Sequence, residues 1–199
     1  MNQKIKNKIK KIKLILTDVD GVLTDGGMYY TSQGDIMKKF YVRDGMGVTL
    51  LKKENIPTMI VTKEETKMVK QWAKRMKIKK LFDGVLDKGG ILERICNETN
   101  TIPKEVAYIA DDVNDISLLK KVGFAATPSD GIEEVKKICD YICKKKSGEG
   151  AFREIADLVL SNISNHSSDV FLISSALSIS TSSFIFSFLF KFDENFSSS

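Results

Sequence analysis

Four short apolar runs, each followed by a stretch of helical period, constrain this chain more than any other feature. Leu14–Thr17, Thr58–Val61, Val106–Ala110 and Gly123–Ala126 are apolar and bounded by polar or turn-forming residues, as buried strands are. Between and after them, Gly45–Glu54, Thr66–Met76, Lys88–Thr99 and Val113–Val122 repeat apolar residues at helical spacing. Strands apolar on both faces need both faces covered. The pattern therefore predicts an α/β fold, a Rossmann-like parallel sheet with helices on both sides. At 199 residues the chain suits one domain with a sizeable core. In such sheets ligands bind beyond the carboxyl ends of the strands.

One stretch breaks the alternation. Gly26–Val42 reads as a hairpin, with strands Met28–Thr31 and Met37–Val42 and a turn at Ser32–Asp35. It follows the first strand directly, so it is expected to project as a small flap over the ligand-binding rim. From Thr62 to Lys88 there is room for a helix and a strand but not for a lid domain.

The chemistry concentrates at strand ends. Leu14-Ile15-Leu16-Thr17-Asp18-Val19-Asp20-Gly21 delivers two carboxylates at i and i+2, then a glycine where the chain must turn. Two carboxylates so close repel each other, which favours a bound cation or a retained proton. Such a pair suits a nucleophile beside a general acid/base. A second apolar run ends in Asp111-Asp112-Val113-Asn114-Asp115 on the same rim. Magnesium prefers oxygen ligands from one or two carboxylates. Asp18 and Asp111 with the backbone carbonyl of Asp20 could supply such a set, leaving Asp112 and Asp115 behind them to orient ligands or waters. Thr62 ends its strand and Lys88 is expected to open a helix, and a hydroxyl and an ammonium there could grip phosphoryl oxygens. Each string alone also fits an ordinary acidic loop or helix cap. Their order along successive strands gives them weight.

Taken together, these strings resemble the haloacid dehalogenase superfamily, and within it the phosphatases of eight- and nine-carbon sugar acids. The resemblance runs from about Lys13 to Leu160. It is carried also by Asp25-Gly26-Gly27-Met28-Tyr29-Tyr30, Phe40-Tyr41-Val42-Arg43-Asp44-Gly45-Met46-Gly47, Asp87-Lys88 and Gly148-Glu149-Gly150-Ala151-Phe152-Arg153-Glu154. It implies a capless enzyme with Mg2+ held by Asp18, Asp20 and Asp111. Asp18 would become an aspartyl phosphate, Asp20 would serve as acid and then base, and Thr62 and Lys88 would hold the phosphoryl group. It also implies a homotetramer in which a neighbouring subunit covers the open site. Arg43, Glu64, Arg75 and Arg153 are the candidates for contacting a phosphorylated sugar acid. Glu64 leans toward a nine-carbon acid, and Gly148–Gly150 reads as a flexible joint that lets Arg153 reach a carboxylate. Members usually carry glycine where this chain has Lys63 and Ala110. Lys63 places a bulky charge beside the phosphate grip.

Charge and cysteines bound the partners. Six lysines lie in the first thirteen residues, and they exceed the net +5 of the whole chain, so the body is near neutral. Residues 1–12 read as a solvated basic leader, 13–160 as the phosphatase domain, and no nucleic-acid partner is expected. Cys96, Cys139 and Cys143 lack metal-finger spacing, and His166 is the single histidine. Reduced thiols in a cytoplasmic protein without a secretory signal fit best. Residues 161–199 form a Ser-rich apolar tail whose uncharged run, 170–190, is long enough to span a bilayer. Eight of its residues are Ser or Thr, which erode insertion energy, so a membrane anchor ranks behind an oligomer helix or an extension. Two rivals to an enzyme are a phospho-receiver module and a phosphatase-like regulatory domain attached to a sugar-acid cytidylyltransferase. Receivers place the acidic pair and the acceptor in the opposite order.

Overall fold

The apolar runs become the centre of a six-stranded parallel sheet. The structure, a computed structural model, describes residues 1–163, of which Met1–Leu160 make one unit. In chain order the strands are β1 (Leu14–Thr17), β2 (Tyr29–Thr31), β3 (Gly34–Met37), β4 (Thr58–Val61), β5 (Leu81–Phe82), β6 (Val106–Ile109), β7 (Phe124–Thr127) and β8 (Tyr141–Ile142). The helices are α1 (Gln3–Ile9), α2 (Val42–Lys53), α3 (Lys67–Arg75), α4 (Leu92–Thr99), α5 (Ile116–Leu119), α6 (Glu133–Lys136) and α7 over 151–163. Sheet order is β5-β4-β1-β6-β7-β8, all parallel, and β2 pairs with β3 as a separate antiparallel hairpin. Of the tail, residues 164–199, with the candidate anchor at 170–190 and His166, lie outside the described residues. Among the described residues no helix is long and apolar enough to cross a membrane.

Alternation along the strands builds the core. Leu14 and Leu16 of β1 join Met59, Val61, Tyr108 and Ala125 in a buried cluster closed by Leu92 and Ile95 of α4 and by Leu118 and Leu119 of α5. The intervening residues Ile15, Ile60, Ala107 and Ala126 are also buried, so neither sheet face meets water. From β1 the chain moves out through β4 and β5, then returns to the other side of β1 with β6. This reversal opens a crevice at the carboxyl ends of β1 and β6.

Several boundaries differ from the sequence reading, each for a local reason. Lys88 does not open a helix: it sits in a turn, and α4 begins only at Leu92. Gly89 and Gly90 are poor helix formers, and their N–H groups donate instead to Ser117 Oγ and Asp87 Oδ1. The expected helix Val113–Val122 is a 3-10 turn, Val113–Asp115, followed by the single turn of α5. Asp115 there turns its side chain inward to polar partners rather than continuing a regular helix. The second hairpin strand is earlier than expected, ending at Met37. Beyond it Lys38 and Lys39 reach acidic residues, and Phe40 bridges Thr24 and stacks on Trp72 at 4.9 Å. Helix α2 starts at Val42, three residues before the predicted Gly45. The two-residue strands β5 and β8 are too short to leave a period.

Gly148–Gly150 is a strap fixed to the nucleophile loop, not a loose joint. Gly148 N donates to Val22 O at 3.0 Å, Ser147 Oγ donates to Gly21 O at 2.6 Å, and Ser147 N donates to Asp130 Oδ1. Gly148 has a φ of +63°, and a Cβ there would press into the backbone of Thr24 and Asp25.

Asp44, in the first turn of α2, is fully buried and accepts Arg153 N at 2.8 Å, capping α7 from outside; its Oδ2 has no partner. Burial pushes its carboxyl from 3.8 up to about 7, against the Arg153 backbone N–H and charge. Its folded pKa exceeds the unfolded one, so its contribution is full below pH 4 and is lost as pH rises to about 7. Asp44→Asn should therefore gain stability over the parent from acid to pH 8, by about 3–4 kcal/mol at most. Urea unfolding of both proteins at several pH values measures it. A difference that stays constant with pH would show that folding leaves the Asp44 pKa unchanged.

Candidate active site

Strand ends place the chemistry. Asp18 directly follows β1, with its N–H bonded to Ile109 O at 3.0 Å, and Asp111 lies two residues beyond β6. The two carboxylates thus face one another at the crevice between adjacent strands. After Asp18 the N–H groups of Val22, Leu23 and Thr24 all converge on Val19 O, winding the chain into a tight turn. Gly21 has a φ of +79°, and a Cβ on it would collide with the Asp111 carboxylate. Only glycine lets the turn approach Asp111 so closely.

Lys88, 1% exposed, lies between two carboxylates. Its Nζ is 2.9 Å from Asp18 Oδ2 and 2.6 Å from Asp115 Oδ1. Tyr108 OH donates to the same Asp115 oxygen, and Val19 N donates to Asp18 Oδ1 at 2.8 Å. Burial opposes the charge on Lys88, yet Asp18 and Asp115 outweigh it and hold its pKa above the ordinary value. It remains an ammonium. Burial, then the charge of Asp115, pushes Asp18 up to about 7, with Lys88 pulling it back. Burial, then the charges of Asp18 and Asp115, pushes Asp111 up to about 8.

Asp18, Asp111 and Asp115 each offer an oxygen within 4.8 Å of the others. Three carboxylates against one ammonium leave surplus negative charge, and Asp115 Oδ2 is buried without a partner. That donor set, all oxygen and under-compensated, fits a hard divalent cation. The open cleft above it, about 440 Å³, is lined also by Asp20, Gly26, Thr62, Lys63, Glu64, Asp112 and Asn114. It has room for a small molecule.

A family model described as haloacid dehalogenase-like hydrolase matches residues 62–155. The 3-deoxy-D-manno-octulosonate 8-phosphate phosphatase of Haemophilus influenzae is 31% identical over 156 residues, spanning 78% of this chain and 87% of that one. The chain belongs to the haloacid dehalogenase-like hydrolases. It is a phosphatase of that family. The crystal structure of the Yersinia pestis 3-deoxy-D-manno-octulosonate 8-phosphate phosphatase superposes with a TM-score of 0.80 at 31% identity, covering 82% of this chain and 89% of that one. The Moraxella catarrhalis enzyme, solved in complex with magnesium ion, phosphate ion and KDO, has a TM-score of 0.80 at 35% identity, covering 87% and 99%.

Within this haloacid dehalogenase-like phosphatase, Asp18, Asp20, Thr62, Lys88 and Asp111 come to one rim, as do Glu64 and Lys63 at its edge. Asp115 is in the carboxylate cluster itself rather than behind it, whereas Asp112 is exposed and accepts Val113 N. Thr62 Oγ1 accepts Glu64 N at 3.4 Å. Arg43 and Arg153 do not line this cleft. They share a separate crevice with Lys144 and Lys145, where Arg153 Nε pairs with Asp157 at 2.7 Å. Arg75 lines a third groove beside Phe40 and Trp72. Lys38, Tyr108 and Ser147 escaped sequence reasoning. A lysine on a hairpin, a tyrosine inside a strand and a serine before a glycine each look ordinary until the fold brings them in.

Proposed function

We propose that this phosphatase hydrolyses the phosphomonoester of an ulosonate sugar acid, with Asp18 as nucleophile and Asp20 as acid and then base. The observation that carries this reading is the division of labour between the two carboxylates. Asp18 is buried with both oxygens held, by Val19 N and by Lys88, so it is aimed and charge-paired. Asp20 has one oxygen held, by Thr24 at 3.1 Å and Lys38 at 2.6 Å, and the other buried without a partner, so it is not tied to the ammonium that pairs Asp18.

In the first step an Asp18 oxygen bonds to phosphorus while the bond to the sugar oxygen breaks, and Asp20 protonates that oxygen as it leaves. In the second step Asp20 takes a proton from water, whose oxygen attacks phosphorus and returns Asp18 as a carboxylate with inorganic phosphate. Thr62 and Lys88 would receive phosphoryl oxygens, which concentrates the catalysis in positioning and charge neutralisation. Asp18 and Asp111, with the Asp20 backbone carbonyl, are the residues we assign to Mg2+, and Asp115 stands beside them. The ion supplies charge neutralisation on the phosphoryl oxygens when bound.

The relatives named above are phosphatases of an eight-carbon ulosonate, and Glu64 at the cleft edge favours trying nine-carbon substrates beside it. Neither hairpin strand is packed away: Met28, Tyr30, Ile36 and Met37 are all at least half exposed. Exposed apolar side chains on both hairpin strands support the homotetramer, in which a neighbour closes the open cleft. Arg43, Arg75 and Arg153 would meet substrate only when presented by such a neighbour. The three thiols are free, which agrees with a cytoplasmic setting.

The deciding assay offers the purified protein 3-deoxy-D-manno-octulosonate 8-phosphate and a nine-carbon ulosonate 9-phosphate, with magnesium or with excess chelator. One should be turned over with magnesium only, and magnesium should raise the melting temperature by binding the native state. Full rate in chelator, with metal content checked, would remove the metal from the reading. Failure on both acids would remove the substrate class.

A further inference from the structure

We propose that Lys38, at the exit of the hairpin, is a positioning residue that holds the Asp20 carboxylate in the orientation its acid and base role needs. This rests on the assignment of Asp20 as acid and base. The side chain of Lys38 is 3% exposed, and its Nζ lies 2.6 Å from Asp20 Oδ1 and 3.9 Å from Asp35 Oδ2. An ammonium so enclosed does not behave as a surface ion pair. Leaving either partner alone there would strand a charge. Thr24 Oγ1 donates to the same Asp20 oxygen at 3.1 Å. With Oδ1 engaged twice, rotating the carboxylate to exchange its oxygens would break a short charge-assisted bond. Oδ2 is buried and has no partner, so the Lys38 ammonium and the Thr24 hydroxyl on Oδ1 are the contacts that set the orientation of the carboxylate.

The hairpin supplies this lysine for a structural reason. Strand β3 ends at Met37, and the next residues cross back toward the nucleophile loop, where Phe40 pairs with Thr24. Lys38 and Lys39 lie on this crossing and reach Asp20 and Asp25 respectively, the latter at 3.2 Å. The flap and the acid/base are therefore mechanically linked, and the buried lysine is the link.

Leaving-group dependence separates a role through Asp20 from a merely structural one. A 4-nitrophenolate departs without a proton, whereas phenolate needs one far more. A residue acting through the general acid affects the two unequally. We would measure kcat/KM for 4-nitrophenyl phosphate and phenyl phosphate with magnesium, using the full-length parent, Lys38→Met and Lys38→Arg, with melting temperatures alongside. Lys38→Met should lose about tenfold or more beyond its 4-nitrophenyl loss on phenyl phosphate, inside the range of general acid catalysis. Lys38→Arg, which keeps a cation, should recover most of that difference even if both variants melt lower. Equal losses on the two esters in Lys38→Met would overturn the role of Lys38 while leaving the phosphatase reading intact. A parent inactive on both esters would overturn both.

Discussion

Asp18→Asn should abolish turnover, by about 10⁴-fold or more, without lowering stability. An amide keeps the acceptor for Val19 N, so the loop geometry survives, but it cannot attack phosphorus as a carboxylate does. The stability half follows from the same burial that aims the nucleophile. Its carboxyl is pushed up to about 7, so at pH 8 the folded chain holds a charge it would rather shed. Replacing that charge by a neutral amide relieves repulsion from Asp115 and leaves Lys88 paired with Asp115. Such a site trades stability for function. Thermal melting in chelator and single-turnover assays read the two halves separately. A near-normal rate would dismiss Asp18 as nucleophile, and a large fall in melting temperature would dismiss the charge argument.

Lys88→Met has the opposite signature, losing both activity and stability. The methionine fills similar volume but removes the ammonium bonded to Asp18 and Asp115. Breaking one side of a buried ion pair typically costs about 3–5 kcal/mol, because the remaining charge is stranded. For a chain of this size that lowers the melting temperature on the order of 10 °C. Magnesium should restore part of the loss, since a cation among Asp18, Asp111 and Asp115 replaces some of the missing charge. Activity should not return with it, because the contact offered to phosphoryl oxygens is gone. Unchanged melting in chelator would show that the three carboxylates are already neutral without Lys88.

The linear chain determined the four central strands β1, β4, β6 and β7 and several of the rim residues. Apolar runs only four or five residues long, bounded by polar or turn-forming residues, read as buried strands, and three of them end near Asp18, Thr62 and Asp111. These are consequences of local pattern, which is why the sheet and the nucleophile loop are legible in the sequence. Tertiary structure alone decided the partners. Lys38 reaches Asp20, and Lys88 reaches Asp115 across 27 residues of sequence. Ser147 holds Gly21 across 126. Asp115 reads locally as a helix-start acid, and only the packing of Tyr108 and Lys88 around it makes it part of the carboxylate cluster. Arg43, Arg75 and Arg153 show the converse. Their spacing says nothing of which groove each one faces, and the fold sends them away from the cleft of their own chain. Periodicity encodes burial along one element, whereas the meeting of side chains from separate elements depends on how those elements pack.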